Sequence, residues 1–198
     1  MKQSGDRVTM LQRDLEEERQ IRRALVDSSI RLNSTFNLSE LLQTIIQTAT
    51  DLVAAEAGSL LIYDEARQEL SFEVAAGETK KQIKTLRMPA NSGIAGWVLE
   101  NQKPVIVDQV HQDPRFSDAI DRALGFVTES LLAVPLQARD RMIGVIELVN
   151  KKDGGKFSER DLEVASAFGA QAAVAIDNAH LYGKLADTVV QSRMTYRL

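Results

Sequence analysis

Ten residues, Met142-Ile-Gly-Val-Ile-Glu-Leu-Val-Asn-Lys151, constrain this chain more than any other stretch. They read as an apolar β-strand that carries one acid, Glu147. At the two-residue period of a strand, Glu147 falls on the same face as Ile143, Val145 and Val149. An ionised carboxylate among such neighbours is costly unless something donates to it. The strand then meets Asn150-Lys151, a glycine turn at Gly154-Gly155, Phe157-Ser158, and a helix that starts near Asp161. This order reads as a strand that closes a small-molecule pocket, followed by a helix that carries the consequence outward.

The length, 198 residues, suits one domain with helical extensions better than two full domains. An apolar fraction of 44% is enough for a core, and the formal charge of −4 comes from acids and bases mixed along the chain. Nothing in that distribution attracts a polyanion, so a nucleic-acid partner is not expected. The chain has no cysteine, which excludes disulfides, thiolate chemistry and a covalently attached bilin. That composition fits a reducing cytosol, so a cytoplasmic location is expected. The start, Met1-Lys-Gln-Ser-Gly-Asp, lacks a signal-peptide core, and no apolar run reaches the length of a membrane span.

From Val8 to about Leu32 a narrow stripe (Leu11, Leu15, Leu25, Leu32) runs along a charged helix, interrupted by Glu18 and Arg22. Such a stripe reads as an imperfect coiled-coil seam or as a solvated helix packed on its own domain; the intermolecular seam is the preferred reading. Asn37 or Ser39 is expected to cap a second helix, whose broad face comprises Leu41, Leu42, Ile45, Ile46, Ala49, Leu52 and Val53. Strands are expected over 57–63 and 69–75, the second with Leu70, Phe72 and Val74 inward and its other face in water. Glu78 to Lys84 reads as a charged loop or short helix. Asn91 to Glu100 reads as a helix with a glycine-rich start, followed by a short strand over 104–107. Ser117 to Leu124 reads as a short helix, and 129–136 as a strand in which Pro135 requires a sheet edge or bulge. This last strand turns through 137–141 into the opening stretch as an antiparallel hairpin. Asp161 to about Gln191 is one long alanine-rich helix, able to lie close to a sheet. The expected fold class is α+β: a central antiparallel sheet of five to six strands, with terminal helices on one face and loops or short helices over a pocket on the other.

Neither histidine, His111 or His180, has a partner at metal or triad spacing, and Gly154-Gly-Lys156 lacks the glycine spacing and following helix of a phosphate loop. No catalytic residue and no metal is therefore assigned, and no haem is expected. The binding residues are more informative. Asn91 to Gly96 places free backbone N–H groups at a helix start, a setting that binds phosphate or carboxylate. Read alone, it is more simply a helix packed by Trp97. Glu147 supplies an acceptor for an N–H pair on a base, or equally a structural ion pair or an exposed edge position. Ser59 and Thr128 are small hydroxyls in or beside strands.

In aggregate, Gly58-Ser-Leu-Leu-Ile-Tyr-Asp64, Ser92-Gly-Ile-Ala-Gly-Trp97, Asp113-Pro-Arg-Phe116, Leu132-Ala-Val-Pro-Leu136 and Ile143 to Lys151 resemble a GAF domain. The likeness runs from about Ser39 to Tyr182. It is strongest to the regulatory GAF domains of cyclic-nucleotide phosphodiesterases and bacterial adenylate cyclases. Their motif of Asn-Lys, a gap, Phe, three residues and Asp-Glu is matched by Asn150, Lys151, Phe157 and Asp161, with Leu162 in place of the Glu. The resemblance implies a largely structural Lys151–Asp161 pair that braces the strand to the helix.

The resemblance also implies a cyclic-nucleotide pocket, with cAMP or cGMP as the ligand. Ser59 would lie near the base, Ile94 and Ala95 would hold the phosphate through their backbone, Asp121 and Thr128 would serve from the lid and the strand after it, and Glu147 would face the purine. The chain departs from that pattern at Ala75-Ala76, where such pockets carry an aromatic–acid pair, and at Leu124 and Ser117. Another nucleotide, another metabolite, or no ligand therefore stay open. The expected organisation is a signalling helix over 1–36, the GAF domain over 37–182 and a continuing helix over 183–198. The expected role is a sensor that passes change through dimeric terminal helices to an output domain outside this chain. The alternative is a ligand-free dimerisation and spacer module.

Overall fold

The computed structural model describes residues 35–77 and 86–195. The seam expected over 8–32, the charged stretch Glu78–Lys84 and the last three residues lie outside them. The first described element, α1 (Thr35–Leu52), already includes Asn37 and Ser39. Those residues are therefore inside the helix and do not cap it. Thr44, Thr48 and Thr50 donate their hydroxyls to the carbonyls four residues back, at 2.7–2.9 Å, which pairs their hydroxyls along the helix. The buried stripe of α1 is narrower than expected. Leu42, Ile45, Ile46 and Ala49 are buried, while Leu41 and Leu52 are 47% and 64% exposed.

Six strands form one antiparallel sheet in the order β3-β2-β1-β6-β5-β4. They are β1 (Ala55–Asp64), β2 (Glu69–Ala76), β3 (Arg87–Pro89), β4 (Val105–Val107), β5 (Leu131–Ala138) and β6 (Arg141–Lys151). The opening stretch, β6, is central and lies between β1 and β5. On one face lie α1 and the long α4 (Glu159–Thr195). Buried Ala165, Ala172 and Ala173 let α4 come close to the sheet. The other face carries α2 (Gly93–Asn101), a 3-10 turn at Val110–Gln112 and the short α3 (Ala119–Leu124).

Two bulges correct the strand periodicity read from sequence. The register of β1 against β2 jumps between Leu60↔Val74 and Leu61↔Phe72, which leaves Glu73 as the extra residue. Leu70 and Phe72 consequently join the α2-side core and Val74 the helix-side core. The far face of β2 meets water only in part: Ala75 is buried and Ser71 and Glu73 are half-buried, because layers cover the sheet on both sides. In the β5–β6 hairpin the register jumps between Leu136↔Gly144 and Gln137↔Met142, so Ile143 is the extra residue. Ile143 therefore packs with Ile146 and Leu148 on the helix side, not with Glu147. Pro135 pairs with Val145 beyond the reach of β4, which engages only Leu131–Ala133, so its missing donor is locally at an edge. Among the described residues no helix is long and apolar enough to cross a membrane.

Candidate functional site

The α2-side face of β1 and β6 is not filled. Ser59 and Glu147 are cross-strand partners at its centre. Together with Val149 they form part of the floor of a hollow walled by the start of α2, by α3 and by the segment leading to β5. The hollow contains about 670 Å³ free of protein atoms, mouth included, of which about 80 Å³ admits the centre of a water molecule. The interior is narrow, smaller than the sites that enclose drug-sized ligands, so a nucleotide would need the lid to move outward.

Of the six ligand-binding residues expected from sequence, Ser59, Ile94, Asp121, Thr128 and Glu147 all line this hollow. Ala95 does not; it is buried in the core beneath α2. Phe72, Met88, Phe116 and Phe126 also line it and were not anticipated as site residues. Phe116 stood in the quoted Asp-Pro motif, and Phe72 had been assigned to the core. Phe126 gave no sequence signal beyond its place two residues before Thr128.

Glu147 is the most perturbed acid of the site. No described side chain or backbone group donates to its carboxyl. Burial, and then the nearby charge of Asp121, push its pKa up to about 7. Its residue surface is half-buried, since the floor opens toward the cavity, and its unbonded carboxyl oxygens reach that space.

Asp121 is differently placed. Its Oδ2 accepts the Thr128 backbone N–H at 2.7 Å, and its Oδ1 accepts the Thr128 hydroxyl at 2.7 Å. This clip joins α3 to the entry of β5 across the left-handed Gly125. It also occupies two polar groups that the resemblance would give to a ligand. No residue of α3 is buried, so the lid is held by this clip and by the partial packing of Ile120 and Leu124.

At the other end, Ser92 is extended at the N-cap of α2 and makes no side-chain capping bond. The first-turn N–H groups, at Gly93 and Ile94, thus lack a side-chain cap at the edge of the hollow. Gly93 has φ +70°, a conformation that favours glycine. Gly96 is needed for a different reason. A Cβ there would meet the backbone of Asn91 at 2.7 Å and of Ala90 at 2.8 Å, so it admits the chain itself. Arg115 chelates Asp113 with contacts of 2.9 and 2.6 Å and stacks 4.5 Å over Trp97, tying the loop before α3 to α2.

The motif residues form a structural hub beside the hollow. Asn150 is left-handed (φ +56°); its Oδ1 accepts from the backbones of Glu129 and Ser130, and its Nδ2 donates to Glu56 and to the carbonyl of Val127. Lys151 donates to the Val53 carbonyl at 2.7 Å and to Asp161 at 2.9 Å. Its ammonium also lies 5.8 Å from the ring of buried Phe157. Ser158 and Asp161 bond reciprocally at the start of α4, a capping box with Asp as the acid. Burial alone would raise the Asp161 carboxyl, but Lys151 and the donors of Ser158 outweigh it and hold it below the usual range. The Lys151–Asp161 pair joins the end of β6 to the start of α4. Among the described residues no cluster of histidine and acids could hold a metal ion. His111 stacks edge-on against Phe116, and His180 is an exposed residue of α4.

Comparison with known proteins places this geometry in context. Residues 37–177 match the sequence profile described as GAF domain. A probable 3',5'-cyclic phosphodiesterase of Caenorhabditis elegans is 25% identical over 207 aligned residues, covering all of this chain and 28% of that protein. The chain thus spans less than a third of that relative's length. The GAF domain of a phosphoenolpyruvate-protein phosphotransferase from Coxiella burnetii superimposes with a TM-score of 0.68 at 20% identity, over 81% of this chain and 94% of that one. Residues 122 to 287 of a methyl-accepting chemotaxis protein superimpose with a TM-score of 0.64 at 23% identity, over 79% and 97%. These two likenesses concern the fold.

Proposed function

The chain belongs to the GAF domain family, and from that premise we propose that it is the regulatory, small-molecule-sensing module of a signalling protein. The observation that carries this reading is the hollow itself. An unengaged acid lies at its floor and an uncapped helix start at its wall. That polarity suits a ligand with N–H donors at one end and an anionic group at the other, as a purine nucleotide has. A cyclic nucleotide, cAMP or cGMP, is the ligand we assign, read by Glu147 and Ser59 at the base and by the helix-start amides at Gly93 and Ile94 at the phosphate. Asp121 and Thr128 would serve from the lid by holding it over the base through their mutual clip.

The module itself is non-catalytic. Its change of state passes from the lid through Asn150 and Lys151 into α4, and from there to an output domain outside this chain. We assign residues 1–36 and 183–198 to the helices that make the homodimer, residues 37–182 to the sensing domain, and the whole to the cytoplasm. Differential affinity of the ligand for two lid positions supplies the switch. Thermal denaturation of the full chain with cyclic AMP or cyclic GMP tests the assignment. Ligand at a hundredfold excess over its dissociation constant adds about 2.7 kcal/mol, a rise of a few degrees in Tm. No rise at millimolar concentration of either removes the nucleotide.

One observation favours a second reading, a ligand-free spacer that only pairs and relays helix motion. Asp121 and Thr128 already satisfy each other, and Phe72, Phe116 and Phe126 narrow the interior. Sedimentation of the chain with and without residues 1–35 bears on the pairing common to both readings; a monomer in both forms contradicts it.

A further inference from the structure

We propose that the hollow chooses between two kinds of heteroaromatic edge by the protonation of Glu147. Protonated, it takes an edge that sets one acceptor beside one donor, as adenine does. Ionised, it takes an edge with two adjacent donors, as guanine has. This rests on the nucleotide reading above and adds a rule for which base is bound.

The geometry narrows the choice to one side chain. Asp121 and Thr128 are consumed in their mutual clip. Ser59, the cross-strand neighbour of Glu147, and Ser117 beside α3 have hydroxyls that rotate to donate or accept and so discriminate little. The start of α2 offers N–H donors only, suited to the phosphate. Glu147 alone has two polar atoms aimed into the hollow that no described group engages. A neutral carboxyl there has one donor and one acceptor; an ionised one has two acceptors. The wrong edge sets acceptor against acceptor or leaves a buried N–H unpaired.

The surroundings keep both forms within reach near neutrality. Among the described lining residues, Asp121 on α3 is the one other titratable group. β1 offers Ser59, α2 its amides, the β5 entry Thr128, and β2 and β3 only Phe72 and Met88. Burial and the Asp121 charge act in the same direction on Glu147, and no cation of the lining opposes them. A guanine edge stabilises the ionised form, so its binding releases a proton and tightens as pH rises. An adenine edge stabilises the neutral form, so its binding takes up a proton and tightens as pH falls.

Titration calorimetry of the full chain with cyclic AMP and with cyclic GMP, at pH 6, 7 and 8, reads this directly. With Glu147 titrating near pH 7, cyclic GMP should bind about tenfold more tightly at pH 8 than at pH 6, and cyclic AMP about tenfold less tightly. Glu147→Gln fixes one donor beside one acceptor. It should hold cyclic AMP with no pH slope and bind cyclic GMP weakly at every pH. The opposite slopes of the unaltered chain stand as evidence even if that variant folds poorly. Nucleotide binding without a pH slope, or with slopes that persist in folded Glu147→Gln, overturns the inference and leaves the nucleotide reading intact. Binding of neither nucleotide at millimolar concentration overturns both.

Discussion

On one face of the sheet, Leu60, Ile146 and Leu148 are fully buried under α1 and α4. On the other, their immediate neighbours Ser59, Glu147 and Val149 line a hollow. The same two strands build both faces, because alternation sends successive side chains to opposite sides. The helix side uses that alternation to bury aliphatic side chains completely. The α2 side gives up packing around one acid and takes its cover from a lid clipped by two hydrogen bonds. A solid face can pass a displacement on, since packed side chains have few other places to go. A hollow face can receive one.

Two neighbouring substitutions should break this contrast most sharply. Ile146→Ala opens a void in the solid face and should cost about 4 kcal/mol in urea denaturation. Glu147→Gln, one residue on, should instead raise stability by about 2 kcal/mol above pH 7. Its folded pKa, about 7, lies above the ordinary glutamate value of 4.5, so ionising it opposes folding. That penalty is absent below pH 4.5, grows as pH rises toward 7, and is complete above it. The figure is discounted for water in the cavity. The gain from Glu147→Gln should therefore vanish in acid, which denaturation curves at pH 4.5 and 8 would check.

Asp121→Ala sharpens the account of the lid. Loss of its clip to Thr128 should cost about 1 kcal/mol and speed hydrogen exchange at Thr128. The same change removes a charge that raises Glu147, so the Glu147 titration should move down. The smallest effect belongs to the exposed face of α3. Arg122 pairs with Asp118 at 3.2 Å in full view of solvent. Arg122→Ala should alter stability by less than about 0.5 kcal/mol, and less still in high salt.

Much of this contrast was legible in the residues. Strong alternation and apolar runs indicated the sheet, the broad stripe of α1 and the alanines of α4 indicated the covered face, and Glu147 stood out as an acid in an apolar strand. The bulges at Glu73 and Ile143 were not legible, because an extra residue is set by the pairing of two strands and leaves no mark on either alone. They moved Val74 and Ile143 to the opposite face from the one periodicity assigned. The bond between Asp121 and Thr128 was hidden for a similar reason. Each looked like a free polar residue of a site, and only the turn at Gly125 brings them together. Asn150 resembled one member of a motif. Its left-handed backbone and four partners become apparent only when β1, β6 and the lid segment are assembled.

The most direct measurement follows the Glu147 side-chain carboxyl carbon by NMR through a pH titration of the full chain, alone and with saturating cyclic AMP or cyclic GMP. An acid at the floor of a ligand hollow should titrate near pH 7 when free and shift when either nucleotide enters. Titration in the ordinary glutamate range, with a resonance that neither nucleotide moves, would place position 147 in open water and contradict the sensing role.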